Sequence, residues 1–206
     1  MGSTSTYLRG RFGGHAGRAL AKGDTVGLHS PLAGKPAARK RLAQALADLT
    51  IYLPASLVPG LRPALRVLPG IHWDEFDTAS QQRLLKAEFT ISPQSDRMGY
   101  RLEGPRLAMA SPRQILSEAA SYGTVQVPAG GEAIVLMADR QTTGGYPKIA
   151  QVITVDLPVL AQRGPGQTVS FARIELDDAQ RLDGEREDAF ARLQDALAPL
   201  RALLHA

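Results

Sequence analysis

No cysteine occurs anywhere in the 206 residues. Disulfides, thiolate nucleophiles and cysteine-ligated metals are thereby excluded, which fits a reducing, cytoplasmic setting. The four histidines, His15, His29, His72 and His205, share no metal-ligand spacing, so no metal site is expected. Aromatic residues make up only 5% of the chain. Nucleic-acid binding needs ordered basic surface with stacking groups nearby, so it is not expected either. Long apolar runs are missing too. Nothing approaches the roughly 18 continuous apolar residues of a membrane helix, and the first residues carry no apolar leader. Three motifs are also absent: G-x-x-x-x-G-K-[ST], a G-x-G-x-x-G that opens a helix, and G-x-S-x-G. Neither a phosphate loop nor a serine nucleophile elbow is therefore indicated.

What is present is turn chemistry and unevenly spread charge. The 20 glycines and 14 prolines punctuate many short apolar runs. Net charge is +4, yet residues 1–50 hold eight Lys and Arg against two acids, so the remainder nets −2. A basic linker and solvated edges account for this pattern. Alternation predicts a strand over Tyr7–Phe12, and Gly13-Gly14 and Gly23-Asp24 signal bends. Pro36 suits the first position of a helix running to about Leu49, with Leu42, Leu46 and Leu49 on one face. Pro54, Pro59 and Pro63 then interrupt the chain. Three segments follow: 1–29; a linker with one loose helix, 30–64; and a folded module, 65–206.

Within the module, strands are predicted at Arg66–Leu68, Glu88–Ile91, Gly123–Pro128, Ile134–Met137, Ile149–Val155 and Val169–Ile174. Helices are predicted from Asp74 to about Lys86 and from Pro112 to Ala120. Many short strands with Gly/Pro turns point to a mainly β fold, an antiparallel β-barrel with a few peripheral helices. From Asp177 to Leu204 an amphipathic helix is expected, with Leu182, Phe190, Leu193, Leu197, Leu200 and Leu204 on one stripe. Asp177 and Asp178 suit its N-terminus, and Pro199 is expected to kink it or end it early. The stripe packs either on its own barrel or on a second protein.

Two dense polar stretches follow β-like runs: Ser92–Gly104 and Asp139–Lys148. They carry Ser95, Arg97, Arg101, Asp139, Arg140, Gln141, Thr142, Thr143, Tyr146 and Lys148. Gln126 lies on a neighbouring predicted strand. Gly144 and Gly145 allow a ligand to approach the backbone. Loops braced by core strands are rigid places to present such groups. Cations with neutral donors suit a carboxylate or a developing oxyanion. Asp96-Arg97 and Asp139-Arg140 can equally satisfy one another and the loop carbonyls.

Ser95–Leu102, Gly123–Pro128 and Ile134–Ala150 resemble the C-subunit family of bacterial ATP-dependent 5-oxoprolinase. This is the KipA, or allophanate-hydrolase-subunit-2, family, described as biotin-dependent carboxyltransferase-like. Phe12-Gly13-Gly14, Gly17–Leu20 and Gly23-Asp24 fit its central segment. The resemblance implies a cyclophilin-like barrel and a partnership with a KipI-like B-subunit and a LamB/YcsF-like A-subunit. It implies opening of 5-oxoproline to glutamate using ATP. Alternatives within its reach are carboxyl transfer from carboxybiotin to urea or an amide, and non-enzymatic capture of a KipI-like kinase inhibitor. Arg97 and Lys148 are the expected catalytic residues; Ser95, Arg101, Gln126 and Asp139–Tyr146 are expected to bind the small-molecule substrate. Family members carry a further N-terminal region ahead of the segment that Gly2–Thr6 resembles. The chain is therefore expected to correspond to the C-terminal part of such a protein. Ala119-Ala120 and Tyr122-Gly123 depart from the family's usual Gly-Val and Pro-Gly.

Overall fold

The computed structural model describes residues 4–8, 10–27, 35–47, 57, 60, 62 and 64–205. The chain divides into two compact units, residues 1–50 with 197–206, and residues 51–196.

In the first unit, β1 (Thr6–Tyr7) and β2 (Phe12–Gly13) pair antiparallel, Tyr7 opposite Phe12. The expected single strand over Tyr7–Phe12 is instead a hairpin. Arg11 turns the chain back at φ 54°, and the Tyr7 and Phe12 rings meet 5.3 Å apart. The bend after β2 needs glycine: Gly17 sits at φ 67°, and a Cβ there would collide with the Arg11 carbonyl. Asp24 fastens the same bend, accepting from both Arg18 Nη atoms at 2.6 and 2.7 Å and from Ala21 N at 2.7 Å. The Arg18 guanidinium holds the Asp24 carboxyl well below the usual carboxylate range. Helix α1 (Pro36–Ala47) begins at the proline, as expected. Leu42 is half-buried and Leu46 exposed, while Leu49, Pro54, Pro59 and Pro63 lie outside the described residues.

The second unit is the barrel. Its elements are β3 (Leu65–Pro69), α2 (Thr78–Lys86), β4 (Phe89–Ile91), β5 (Gly99–Glu103), β6 (Glu118–Ala119) and β7 (Thr124–Gln126). They continue with β8 (Ile134–Leu136), β9 (Thr143–Gly144), β10 (Lys148–Val152), α3 (Leu157–Ala161), β11 (Thr168–Val169), β12 (Phe171–Arg173) and α4 (Leu176–His205), whose residues from 197 on count with the first unit. Eight strands form one sheet in the order β11-β4-β5-β8-β7-β10-β3-β12. Its two end strands are separated in sequence only by Ser170, so the sheet nearly closes on itself. All pairings within it are antiparallel except β12 on β3. Alternate residues point inward: Leu65 and Val67 from β3, Phe89 and Ile91 from β4, and Phe171 from β12 are all buried. Phe89 and Phe171 meet at 5.8 Å in a tilted pair.

Several local expectations change. The polar stretch Ser92–Gly104 contains strand β5, and the single strand expected over Val169–Ile174 is divided at Ser170 into β11 and β12, which join opposite ends of the sheet. The helix expected from Asp74 is a 3-10 turn over Trp73–Glu75, then an extended Phe76, then α2. Asp77 causes the break: its carboxylate accepts from Ser80 N at 2.5 Å, and its own backbone is extended, as an N-cap must be. The break drops Phe76 into the core. Residues 112–120 form no helix; Glu118–Ala119 are drawn out as β6 to pair with β9 inside the second polar stretch. The polarity of that stretch predicts a loop without strands, and main-chain pairing overrides it. Helix α4 runs through Pro199 to His205, without the early end expected there. Asp177 and Asp178 occupy its first turn, and Leu182 and Phe190 line a small cavity of about 100 Å³ with Pro158 and Val159. Part of its stripe thus faces its own barrel.

The fully buried Asp156 locks the barrel flank. It accepts from Arg66 N, Nε and Nη2 at 2.8, 2.9 and 2.6 Å, a two-pronged pair plus one main-chain donor. Among the described residues no helix is long and apolar enough to cross a membrane.

Candidate functional site

The β10–β7 ladder places Lys148 opposite Gln126, and the register slips between Lys148 and Ala150. Such a slip bends the strand and re-aims the side chain at its end. Lys148 is 5% exposed and Gln126 2%. Neither Lys148 Nζ nor Gln126 Nε2 has a hydrogen-bond acceptor among the described residues. A buried donor left unpaired is destabilising by roughly 1–3 kcal/mol, so native chains keep few of them without a use.

His72 is tied to Lys148 in both directions along the main chain. Lys148 N donates to His72 Nδ1 at 3.1 Å, and His72 N donates to the Lys148 carbonyl at 3.2 Å. Because Nδ1 accepts, the ring proton sits on Nε2. That nitrogen lies 3.2 Å from Glu118 Oε1, and Lys148 Nζ lies 3.4 Å from the same oxygen. The Lys148 contact is short enough for an ion pair but is not aligned as a hydrogen bond, which leaves Nζ free to turn to another acceptor. Beside this corner Arg113 grips Glu75 through two bonds of 2.7 Å. The guanidinium holds the Glu75 carboxyl below its ordinary value, and Glu75 in turn pushes Arg113 up.

Glu118 reaches the corner through β6, where it pairs with Gly144 of β9. Gly144 brings its backbone close to Gln126: a Cβ there would lie 3.0 Å from Gln126 Nε2, so the amide would have to give way by a few tenths of an ångström. Of the residues expected from sequence, the fold therefore gathers Lys148, Gln126 and Gly144 into one buried corner.

The others lie outside it. Arg97 is 77% exposed and pairs with the exposed Asp139, Nε to Oδ2 at 3.0 Å and Nη2 to Oδ1 at 3.1 Å. The two polar stretches do meet here, because β5 and β8 are neighbours: Asp139 N donates to the Arg97 carbonyl at 2.8 Å. Ser95 Oγ closes a turn, accepting from Arg101 N at 3.0 Å, and the Arg101 side chain is exposed. Arg140 is partly buried, with Nε unpartnered and its guanidinium 5.9 Å above the Tyr122 ring. Burial pushes the Tyr122 hydroxyl up, Tyr100 adds to the push, and Arg140 opposes it. Gln141, Thr142 and Thr143 are exposed; Thr142 accepts from Ala120 N at 2.8 Å through its carbonyl. Gly145 and Tyr146 line a cavity of about 370 Å³ whose walls include Phe76, Met109, Ile115 and Val127.

His72, Glu118 and Tyr122 were missed by sequence reasoning. His72 and Glu118 stand 76 and 30 residues from Lys148 along the chain, and no spacing rule links them. Among the described residues no cluster of His, Asp and Glu could hold a metal.

The family model for the carboxyltransferase domain, subdomain A and B, matches residues 1–173. The chain belongs to this carboxyltransferase-domain family. The match includes every residue of the Lys148 corner. This carboxyltransferase-domain chain is 38% identical to the 5-oxoprolinase C-subunit of Haemophilus influenzae over 199 residues, 95% of its own length and 59% of the relative's. Against the 5-oxoprolinase C-subunit of Escherichia coli it is 39% identical over 193 residues, 94% and 57% of the two lengths. It thus spans less than three fifths of either relative. The crystal structure of K. lactis urea amidolyase shares its fold, with a TM-score of 0.69 at 24% identity over 91% of this chain and 12% of that one. The mainly β barrel expected from the many short strands and Gly/Pro turns is thus the fold observed, and urea amidolyase shares it.

Proposed function

We propose that this chain supplies one wall of the active site of an ATP-dependent 5-oxoprolinase, built with A- and B-type subunits. One observation carries the reading: two buried donors without acceptors, Lys148 Nζ and Gln126 Nε2, in a chain 38–39% identical to 5-oxoprolinase C-subunits. Opening a lactam places negative charge on the carbonyl oxygen. Donors fixed in a dry corner stabilise that charge far better than water does. The corner offers charge and hydrogen bonds but no nucleophile, so the attacking group comes from elsewhere in the assembly. No phosphate loop is legible in this chain, so ATP is assigned to the assembly. Arg140, whose Nε is unpartnered, is assigned the substrate's anionic group. Ser95, Arg101, Gln141, Thr142, Thr143 and Tyr146 stand as outer contacts. Arg97, already paired with Asp139, fastens the two loops.

The test is glutamate release from 5-oxoproline and ATP by this chain co-expressed with A- and B-type subunits, with and without the N-terminal region of its longer relatives. Lys148→Ala is expected to lower kcat about 10²–10³-fold, and Arg97→Ala much less. Absence of release from the complete assembly would overturn the reading. The family's description as a carboxyltransferase domain supports one second reading, transfer of a carboxyl group, for which we take carboxybiotin as the donor and urea or an amide as the acceptor. Carboxylation of urea with a biotin-carboxylase partner, and no glutamate release, would decide for it.

A further inference from the structure

The corner holds one feature the proposed function does not require: a carboxylate already beside the buried lysine. Lys148 Nζ lies 3.4 Å from Glu118 Oε1, an ion-pair distance, and His72 Nε2 lies 3.2 Å from that same oxygen. The His72 ring is oriented by Lys148 N, which donates to Nδ1, and its backbone by the Lys148 carbonyl. The nearby Arg113 and Glu75 cancel one another through their two-pronged pair. The charge at the corner is therefore balanced before any ligand arrives, yet Lys148 Nζ and Gln126 Nε2 still lack acceptors. An incoming anion would face the Glu118 carboxylate at close range; that side chain is 35% exposed, so solvent softens the repulsion but does not abolish it. An uncharged carbonyl oxygen would take both donors without that repulsion.

We infer that Glu118 is a specificity-determining, positioning residue: set beside Lys148, it offsets the lysine's charge and makes the Lys148–Gln126 corner a receptor for a carbonyl oxygen that arrives uncharged, and gains negative charge only as it reacts, rather than for a ligand group that arrives as an anion. The ligand group it takes is the carbonyl of a lactam, amide or urea. Any carboxylate on the same molecule must lie elsewhere. The inference rests on the reading that Lys148 and Gln126 face the substrate, but not on which reaction follows. It also gives the short β6–β9 ladder a purpose, since that pairing is what delivers Glu118.

The experiment needs no turnover. The ¹⁵N-labelled 206-residue chain is titrated with 2-pyrrolidone, an uncharged lactam, and separately with acetate. Shifts of the Gln126 side-chain amide and the Lys148 backbone amide report occupancy. The wild type is expected to favour the lactam. Glu118→Gln is expected to move the ratio of the two dissociation constants towards acetate by about tenfold or more, the effect of leaving one buried cation unbalanced. Glu118→Asp, which keeps the charge, is expected to restore the wild-type order. His72→Ala, which frees Glu118, is expected to shift the ratio the same way but less, and serves as a second arm should Glu118→Gln not fold. A wild type that binds acetate as well as the lactam, or binds neither, overturns the inference. So does an unchanged ratio in Glu118→Gln, or in His72→Ala if Glu118→Gln does not fold. Selectivity that switches while the assembly releases no glutamate refutes the 5-oxoprolinase reading alone. Glutamate release with an unmoved ratio refutes only the role of Glu118.

Discussion

Lys148 and Gln126 set stability against use. Gln126 buries an amide nitrogen with no acceptor, which weakens the fold unless a ligand completes it. Gln126→Leu removes that donor at similar volume. The variant is expected to be as stable as the wild type or up to about 1 kcal/mol more so in thermal unfolding. In the reconstituted assembly its glutamate release is expected to fall about 10²-fold. A parallel loss of stability and turnover would instead mark Gln126 as a packing residue. Asp156 behaves oppositely, because its three donors are all satisfied. Asp156→Ala strands the Arg66 guanidinium beside an empty pocket. It is expected to lower stability by about 3–5 kcal/mol in chemical denaturation, whichever ligand is present. The candidate residues were legible as chemical types in a polar stretch. Which of them would be buried was not. Arg97 and Lys148 look equivalent in sequence, yet one is solvated beside Asp139 and the other lies inside the barrel wall.

Among the elements, α2 shows how one side chain redraws a boundary. Asp77 caps the helix, and the Ser80 amide, then the Ser80 hydroxyl, hold its carboxyl below the ordinary value. A depressed folded value means that the carboxylate stabilises the fold above about pH 4 and that this contribution is lost as pH falls through the lower, folded value. Glu75, held down by Arg113, adds to the same acid-side loss. Asp77→Asn keeps a capping oxygen but cannot titrate. It is expected to leave the neutral-pH Tm nearly unchanged and to flatten the fall of Tm between about pH 4 and 2. Asp77→Ala is expected to lower Tm by roughly 2–4 °C at neutral pH. An Asp77→Asn profile that tracks the wild type would remove Asp77 from this role. Strands β3, β4, β7, β8 and β10 were legible because alternation and β-branched residues mark a half-buried pleat. Strands β6 and β9 were not. Each is two residues long, and their only reason to extend is the other's backbone, so neither leaves a side-chain signature.

The whole barrel depends on closure between strands that are adjacent in sequence at one end and distant at the other. β12 pairs parallel with β3, which lies far earlier in the chain, and β11 pairs with β4. Phe171 and Phe89 fill the seam between them. Phe171→Ala is expected to weaken the fold by about 3–5 kcal/mol and to do so cooperatively, so that protection against hydrogen exchange falls together in β3, β4 and β12. Loss confined to β12 would show that the seam is an appended edge.

Residue order alone established the lack of cysteine chemistry, the strand-rich module, the proline-started α1, the acidic first turn of α4 and the two polar stretches. All of these follow from local rules: which side chains alternate, which residues turn, which donors cluster. The corner came from folding. His72, Glu118, Gln126 and Lys148 lie on four separate pieces of chain, and they meet because main-chain ladders and a barrel's closure bring them together. Backbone pairing of that kind is nearly blind to side-chain identity, so no pattern in the chain announces it.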